Sequence, residues 1–254
     1  MKLFNTIITT IGTRVLLLVP ILVSVVTIPR RYKLLVKQLY VIGVLSAIII
    51  IVSGLFVGMV LALQGYNTLV KFNSKEAVGV LVLLSLTREI GPVISALLFA
   101  GRSGSAITAE VALMKATEQI SSIEIIGVNP NEIVYGPRFF ASIISLPLLT
   151  SLFITAGLWG GYFVSCVILN LDSGVFWTTV KNGFDFQGDF MNGIIKSFIF
   201  AIACAWIALA QGIDSDPTPE GMSKSTTNTV VYSSLSILGL NYLLSSIMFS
   251  NSTL

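Results

Sequence analysis

Arg88 and Glu89 stand side by side in LTREIGPVIS, Leu86 to Ser95, a run otherwise made of apolar and small residues. The chemistry available there is a guanidinium that can hold a phosphate or carboxylate, a carboxylate, and one backbone oxygen. The oxygen follows from Pro92, which has no N–H to give the Arg88 carbonyl and whose ring pushes against it. A kink is therefore expected at Gly91-Pro92, with an unpaired carbonyl beside two charges. Helical partners lie three or four residues apart, so adjacent Arg88 and Glu89 cannot neutralise each other along one face. At least one must look into a cavity or toward another helix. In a membrane helix such a charge costs about 2.5–3.5 kcal/mol and marks a functional site by default. A charged notch in an apolar wall suits an amphiphile, with its headgroup against Arg88 and Glu89 and its acyl chains against Leu, Ile and Phe. The plainer alternative is a structural ion pair pinning two helices together.

The elements that position this notch are read from composition. The chain has 254 residues, of which 54% are hydrophobic and only 11% charged, and a mean hydropathy of +0.91. Soluble domains carry about 25% charged residues, so an integral membrane protein is expected and a soluble helical core is the weaker reading. Val41 to Leu63 is an uncharged stretch of 23 residues, about 34 Å as a helix and enough to cross a hydrocarbon layer of about 30 Å. Similar stretches at 77–101, 139–169, 190–213 and 228–249 bring the count to five crossings. Each must be helical, because lipid offers no partner to a free N–H or C=O. No polar path for an ion is evident in the other four crossings. The chain reads as one domain, 1–254, with a basic N-terminal segment, 1–38, and a transmembrane core, 39–250.

Lys2, Arg14, Arg30, Arg31, Lys33 and Lys37 all precede the first acidic residue, Glu76. With Lys115, Arg138 and Lys224 they outnumber Lys71, Lys75 and Lys181 on the other side, which predicts N-in and C-out. Val15 to Ile28, interrupted by Pro20, is too short to span. It reads as an elbow helix lying on the inner leaflet rather than a signal peptide, since it ends in Pro-Arg-Arg and not in a small-residue cleavage site. Gly54-x-x-x-Gly58 and Gly157-x-x-x-Gly161 would allow close helix packing. So would the ridges Ala96, Ala100, Gly104, Thr108 and Gly101, Ser105, Ala109. A helix from Ala77 to Met114 would project well past the inner leaflet, placing Arg102 and Glu110 near the boundary.

Between the second and third crossings, KATEQISSIEIIGVNPNEIVYGP carries Ile120, Ile123 and Ile126 at i+3 spacing, with Glu118 and Glu124 on other faces. Ser121-x-x-Glu124 fits a capping box, and Gly127 and Pro130 stop the helix. An acidic amphipathic helix suits docking into another protein better than lying on anionic lipid. The chain has no histidine, and Cys166 and Cys204 lie in apolar runs; no metal cluster, nucleophile–base pair or nucleic-acid surface is expected. No P-loop sequence occurs, so no catalytic residue and no cofactor is expected in this chain.

The run from Arg88 to Thr150, REIGPVISALLFAGRSGSAITAEVALMKATEQISSIEIIGVNPNEIVYGPRFFASIISLPLLT, resembles the MlaE/YrbE permease family. The resemblance extends over LYVIGVLSAIIIIVSGLFVGMVLALQGY and PTPEGMSKSTTNTVVYSSLSILGL, roughly Leu39 to Ser250. These permeases are membrane subunits of ABC transporters that move phospholipid between the inner and outer membranes of Gram-negative bacteria and maintain outer-membrane lipid asymmetry. The resemblance implies a homodimer in the inner membrane and a cytoplasmic ATPase subunit that binds the ATP and Mg. It also implies a periplasmic MCE-domain hexamer and a STAS-domain accessory protein. It places Arg88, Glu89 and Pro92 at a lipid pocket with walls from Tyr66 and Leu69. The coupling element would be Ile120 to Val128, with Glu118, Ile120, Ile123, Glu124 and Ile126 meeting the ATPase. Asn241 follows LGL where the family pattern often has Asp, and no role is assigned to it. The rival readings are an ion-gradient-driven transporter or channel, which five crossings and one charged segment serve poorly, and an intramembrane hydrolase.

Overall fold

The computed structural model describes residues 18–24 and 31–250, and every regular element within them is helical. Among the described residues, five helices are long and apolar enough to cross a membrane: Tyr32–Val70, Lys75–Ala116, Asn131–Ile168, Phe186–Asp214 and Pro219–Met248. They are called the first to fifth long helices. Most of the basic N-terminal segment, and both ends of the run 15–28, lie outside the described residues. Within it, Leu18–Val23 forms a short helix with Ile21 buried. That helix packs on the start of the third long helix, where Gly136 makes room for Ser24.

The second long helix has 42 residues, about 63 Å at 1.5 Å per residue, twice the thickness of a hydrocarbon layer of about 30 Å. At its start a short helix, Ser173–Gly183, lies across it, with Phe176 and Val180 packed on Leu83. Asp172 caps that short helix through the Val175 N–H at 2.9 Å. Toward its other end, Glu110 accepts from Arg138 at 2.9 and 3.2 Å. There Lys115 Nζ also donates to the carbonyls of Ile213 and Ser215, at 2.7 and 2.9 Å, closing the end of the fourth long helix.

Two seams hold the bundle. The first and third long helices meet through glycine: a Cβ on Gly58 would strike the Gly157 carbonyl, and one on Gly160 the Leu55 carbonyl. The two GxxxG motifs thus pack on each other within one chain, which is the close backbone approach that small residues allow in lipid. The ridge Ala96, Ala100, Gly104, Thr108 is buried, while Gly101, Ser105 and Ala109 are not. Thr108 Oγ1 donates to the Ala208 carbonyl at 2.9 Å and pairs with Thr229 Oγ1 at 2.8 Å, stitching the second helix to the fourth and fifth. The long helices are interrupted by π turns, which add a residue to one turn and gather at functional sites. Four of those described hold charge: Leu86–Ile90 contains Arg88 and Glu89, Ala100–Gly104 contains Arg102, Asn131–Tyr135 contains Glu132, and Phe186–Phe190 contains Asp189. The expected disturbance at Pro92 is therefore a π turn immediately before it, closed by the Gly91 N–H on the Leu86 carbonyl.

Candidate functional site

The widened turn at Leu86–Ile90 faces the fourth long helix, which comes close because Gly193 has no side chain. A Cβ there would meet the Thr87 carbonyl. Asp189 lies four residues before Gly193 and Lys196 three after it, so all three share one helical face. Asp189, 4% exposed in its side chain, accepts from Arg88 Nε at 2.6 Å. Lys196, completely buried, donates to Glu89 Oε1 at 3.0 Å and to the Arg88 carbonyl at 2.8 Å. The ammonium thus fills the place of the N–H that Pro92 lacks. The carbonyl expected to be orphaned has a charged partner, and a buried acceptor left unpaired would cost about 1–3 kcal/mol.

The fifth long helix completes the network from Asn241 and Ser245, one turn apart. Asn241 Nδ2 donates to Glu89 Oε2 at 2.9 Å. Ser245 Oγ donates to Glu89 Oε1 at 2.8 Å and accepts from Lys196 at 2.8 Å. Two carboxylates and two cations from two helices therefore alternate in sign, and each adjacent like-charge contact is avoided. Arg88 and Glu89 do point to different partners, as their spacing requires, but both partners come from one helix.

Beside the network lies a groove of about 500 Å³ between the first, second and fifth long helices. Its walls are Phe56, Val57, Val60, Leu61, Ile90, Val93 and Ile94, and only Glu89 and Asn241 bring polar atoms to it. Phe56 and Val60, at 61% and 57% exposure, form a lip open to the surroundings of the bundle. Asn241 Oδ1 has no hydrogen-bond partner. The arrangement can bind a molecule with a polar end and an apolar body, and can offer it a carboxylate and an amide.

The residues expected at the pocket separate. Glu89 lines the groove, while Arg88 turns to Asp189 and Pro92 is buried under Gly193. Tyr66 and Leu69 are absent from the groove's walls and pack on the hydrophobic core. The sequence reading assigned no site residue to the fourth and fifth helices, yet Lys196 and Asp189 come from the fourth and Asn241 and Ser245 from the fifth. Their signal was in the sequence: Asp189 and Lys196 are two helical turns apart, as Asn241 and Ser245 are one, inside otherwise apolar runs.

The second expected site, between the second and third long helices, is a seven-residue helix, Gln119–Ile125. Glu118 starts it in a left-handed conformation (φ 57°), with no side-chain cap from Ser121, and Gly127 ends it at φ 82°. The isoleucines divide: Ile120 and Ile123 pack against the core, while Ile126 points outward with Ile125, at 76% and 86% exposure. Glu118 and Glu124 are exposed. No group of three His, Cys, Asp or Glu side chains that could hold a metal occurs among the described residues.

Comparison with known proteins adds to this geometry. The family model described as permease MlaE matches residues 35–247. The intermembrane phospholipid transport system permease protein MlaE of Haemophilus influenzae is 53% identical over 222 residues, 87% of this chain and 85% of the relative. A probable ABC transporter permease protein of Rickettsia typhi is 34% identical over 89% of this chain and 87% of its own length. One from Synechocystis is 33% identical over 87% of this chain and 83% of its own length.

Proposed function

The chain belongs to the MlaE permease family, and from that premise we propose that it is the membrane-embedded subunit of an ABC transporter that moves phospholipid between the inner and outer membranes. The lipid lies in the groove with its acyl chains on Phe56, Val57 and Val93 and its headgroup at Glu89 and Asn241, with Arg88 one residue away. The observation that carries this reading is the pairing of one ionised end with apolar walls and an open lip. An ion pathway would need polar groups along its length, and the groove has them at one end alone. Because Arg88 and Lys196 already face carboxylates, a phosphate gains a cation only by competing with Asp189 or Glu89. Release is thereby built into binding, since the protein carboxylates recapture their partners once the lipid leaves.

Energy comes from ATP bound with Mg on a separate cytoplasmic subunit, which grips Ile125, Ile126 and the carboxylates of Glu118 and Glu124. The chain sits in a Gram-negative inner membrane, N-in and C-out, with Leu18–Val23 as part of an elbow on the inner leaflet. It acts as a homodimer with a periplasmic MCE-domain hexamer and a STAS-domain protein. Filling the groove tests the function: Val93→Trp places an indole between its walls while every member of the ionic network is retained. In the reconstituted complex, lipid transfer between vesicles is expected to fall at least tenfold while the variant melts as the parent does. Undiminished transfer by a well-folded Val93→Trp complex would refute the groove as the route.

A further inference from the structure

Arg102 belongs to neither site. It sits in the π turn Ala100–Gly104, fourteen residues from Arg88 and so about 21 Å along the same helix. Its Nη1 donates to Ser46 Oγ at 2.5 Å and more weakly to the Val41 carbonyl at 3.4 Å. Ser46 and Ser103 are buried and joined at 2.9 Å, and both reach the Ile42 carbonyl, so they form a fixed wall under the guanidinium. A guanidinium has five N–H donors. Among the described residues, those on Nε and Nη2 of Arg102 meet no acceptor, and no carboxylate lies within ion-pair distance of it. Glu110, two turns further on, is held by Arg138.

Arg102 and Gln38 open onto a cleft of about 130 Å³ between the first and second long helices, whose lining also includes Glu110, the carboxylate held by Arg138. Liquid water takes about 30 Å³ per molecule, so the cleft has room for a tetrahedral oxyanion and none for acyl chains. An apolar line on the first helix leads away from it: Val41 lines the cleft, and Leu45, Ile48 and Val52 follow at 45%, 74% and 49% exposure. At the same level Lys33 and Lys37 are exposed, as are Tyr32 and Tyr40, at 59% and 56%. Tyrosine and basic residues at a helix end mark the headgroup layer.

We infer that the Arg102–Gln38 cleft is a second phospholipid site, in which the headgroup phosphate binds the guanidinium and one acyl chain lies along Leu45, Ile48 and Val52. It is separate from the groove and stands whether or not the groove is the transport route. Arg102 donates to neutral acceptors alone, and the Glu110 carboxylate in the cleft's lining is taken by Arg138, so the guanidinium suits an added anion; at this depth the abundant anion is a lipid phosphodiester.

The test uses the permease–ATPase complex in detergent, titrated with dioleoyl phosphatidylglycerol and, separately, with dioleoylglycerol and with inorganic phosphate. Bound lipid is counted by native mass spectrometry and read again as thermal stabilisation. The wild-type complex is expected to hold one more phosphatidylglycerol per permease chain than Arg102→Ala, whose affinity at that site falls about tenfold or more. Ala106→Leu is expected to lose the same lipid with Arg102 intact, because Ala106 is exposed and lines the cleft; it decides the matter should Arg102→Ala not fold. Equal lipid counts in wild type and Ala106→Leu would overturn the site. So would equal binding of dioleoylglycerol, which lacks the phosphate, or stabilisation by inorganic phosphate alone.

Discussion

Glu89 and Lys196 form one ion pair, yet the two halves of it stand in different surroundings, and substitution should expose that difference. Replacing Glu89 by Leu takes the Glu89 carboxylate from a wholly buried ammonium, that of Lys196, which also donates to the neutral Arg88 carbonyl and Ser245 Oγ. Breaking a buried pair by removing one partner costs about 3–5 kcal/mol. Replacing Lys196 by Met leaves a carboxylate that is 41% exposed and still receives Asn241 and Ser245. Its cost is mainly the Arg88 carbonyl, now without a donor, at about 1–3 kcal/mol. The double variant, Glu89→Leu with Lys196→Met, removes both charges, and apolar replacement of a complete buried pair is often neutral. It should therefore be more stable than Glu89→Leu alone. A chain of this length shifts by roughly 2–4 °C per kcal/mol. Glu89→Leu is expected to lower the melting temperature by about 10 °C, and adding Lys196→Met to restore about half of that loss. Tryptophan fluorescence of the detergent-solubilised protein, which has three tryptophans, follows the transition. Equal losses from the two single variants, or a double variant melting below Glu89→Leu, would refute the buried-ammonium reasoning.

The glycine seam and the short connecting helix give two further expectations. Gly58→Ala puts a methyl group onto the Gly157 carbonyl, so the first and third helices must separate; a loss of about 1–3 kcal/mol, the scale of overpacking, is expected in thermal melts, whereas Gly101→Ala, with open space around it, should be near neutral. Charge reversal at Glu118 or Glu124 is expected to release the ATPase subunit on size exclusion while the permease melts unchanged, and a retained ATPase would remove these carboxylates from the docking surface.

Much of the site could be read from local rules. Intramembrane Arg88 and Glu89 announced themselves by their cost, and Pro92 announced a carbonyl in need of a donor. The donor itself could not be read that way. Lys196 lies 108 residues from Arg88, and no helical spacing connects them; only the close approach at Gly193 does. What was legible was periodicity within the fourth and fifth helices, and a single Lys or Asn in an apolar run is easily passed over when hydropathy is averaged. Five long apolar helices were legible because hydrocarbon thickness sets their minimum length, and the excess length of the second was legible from the continuous run 77–114. The GxxxG motifs were legible as packing surfaces but not as each other's partners. Tyr66 and Leu69 pack on the core and are not among this groove's walls, and nothing in their local pattern distinguishes the two positions.

The lysine tied to a proline-freed carbonyl also bears on how the chain enters its membrane. Synthesis delivers the second helix well before the fourth, so Glu89 waits at depth with no cation until Lys196 arrives, and Asn241 and Ser245 come later still. A nascent chain halted before residue 196 would hold a stranded carboxylate and an unpaired carbonyl. The fourth helix in turn cannot drift into lipid alone without carrying a bare ammonium, at about 2.5–3.5 kcal/mol. Partition of the fourth helix into lipid is thus less costly once it has met the second, because the contact supplies its ammonium with a carboxylate and a carbonyl.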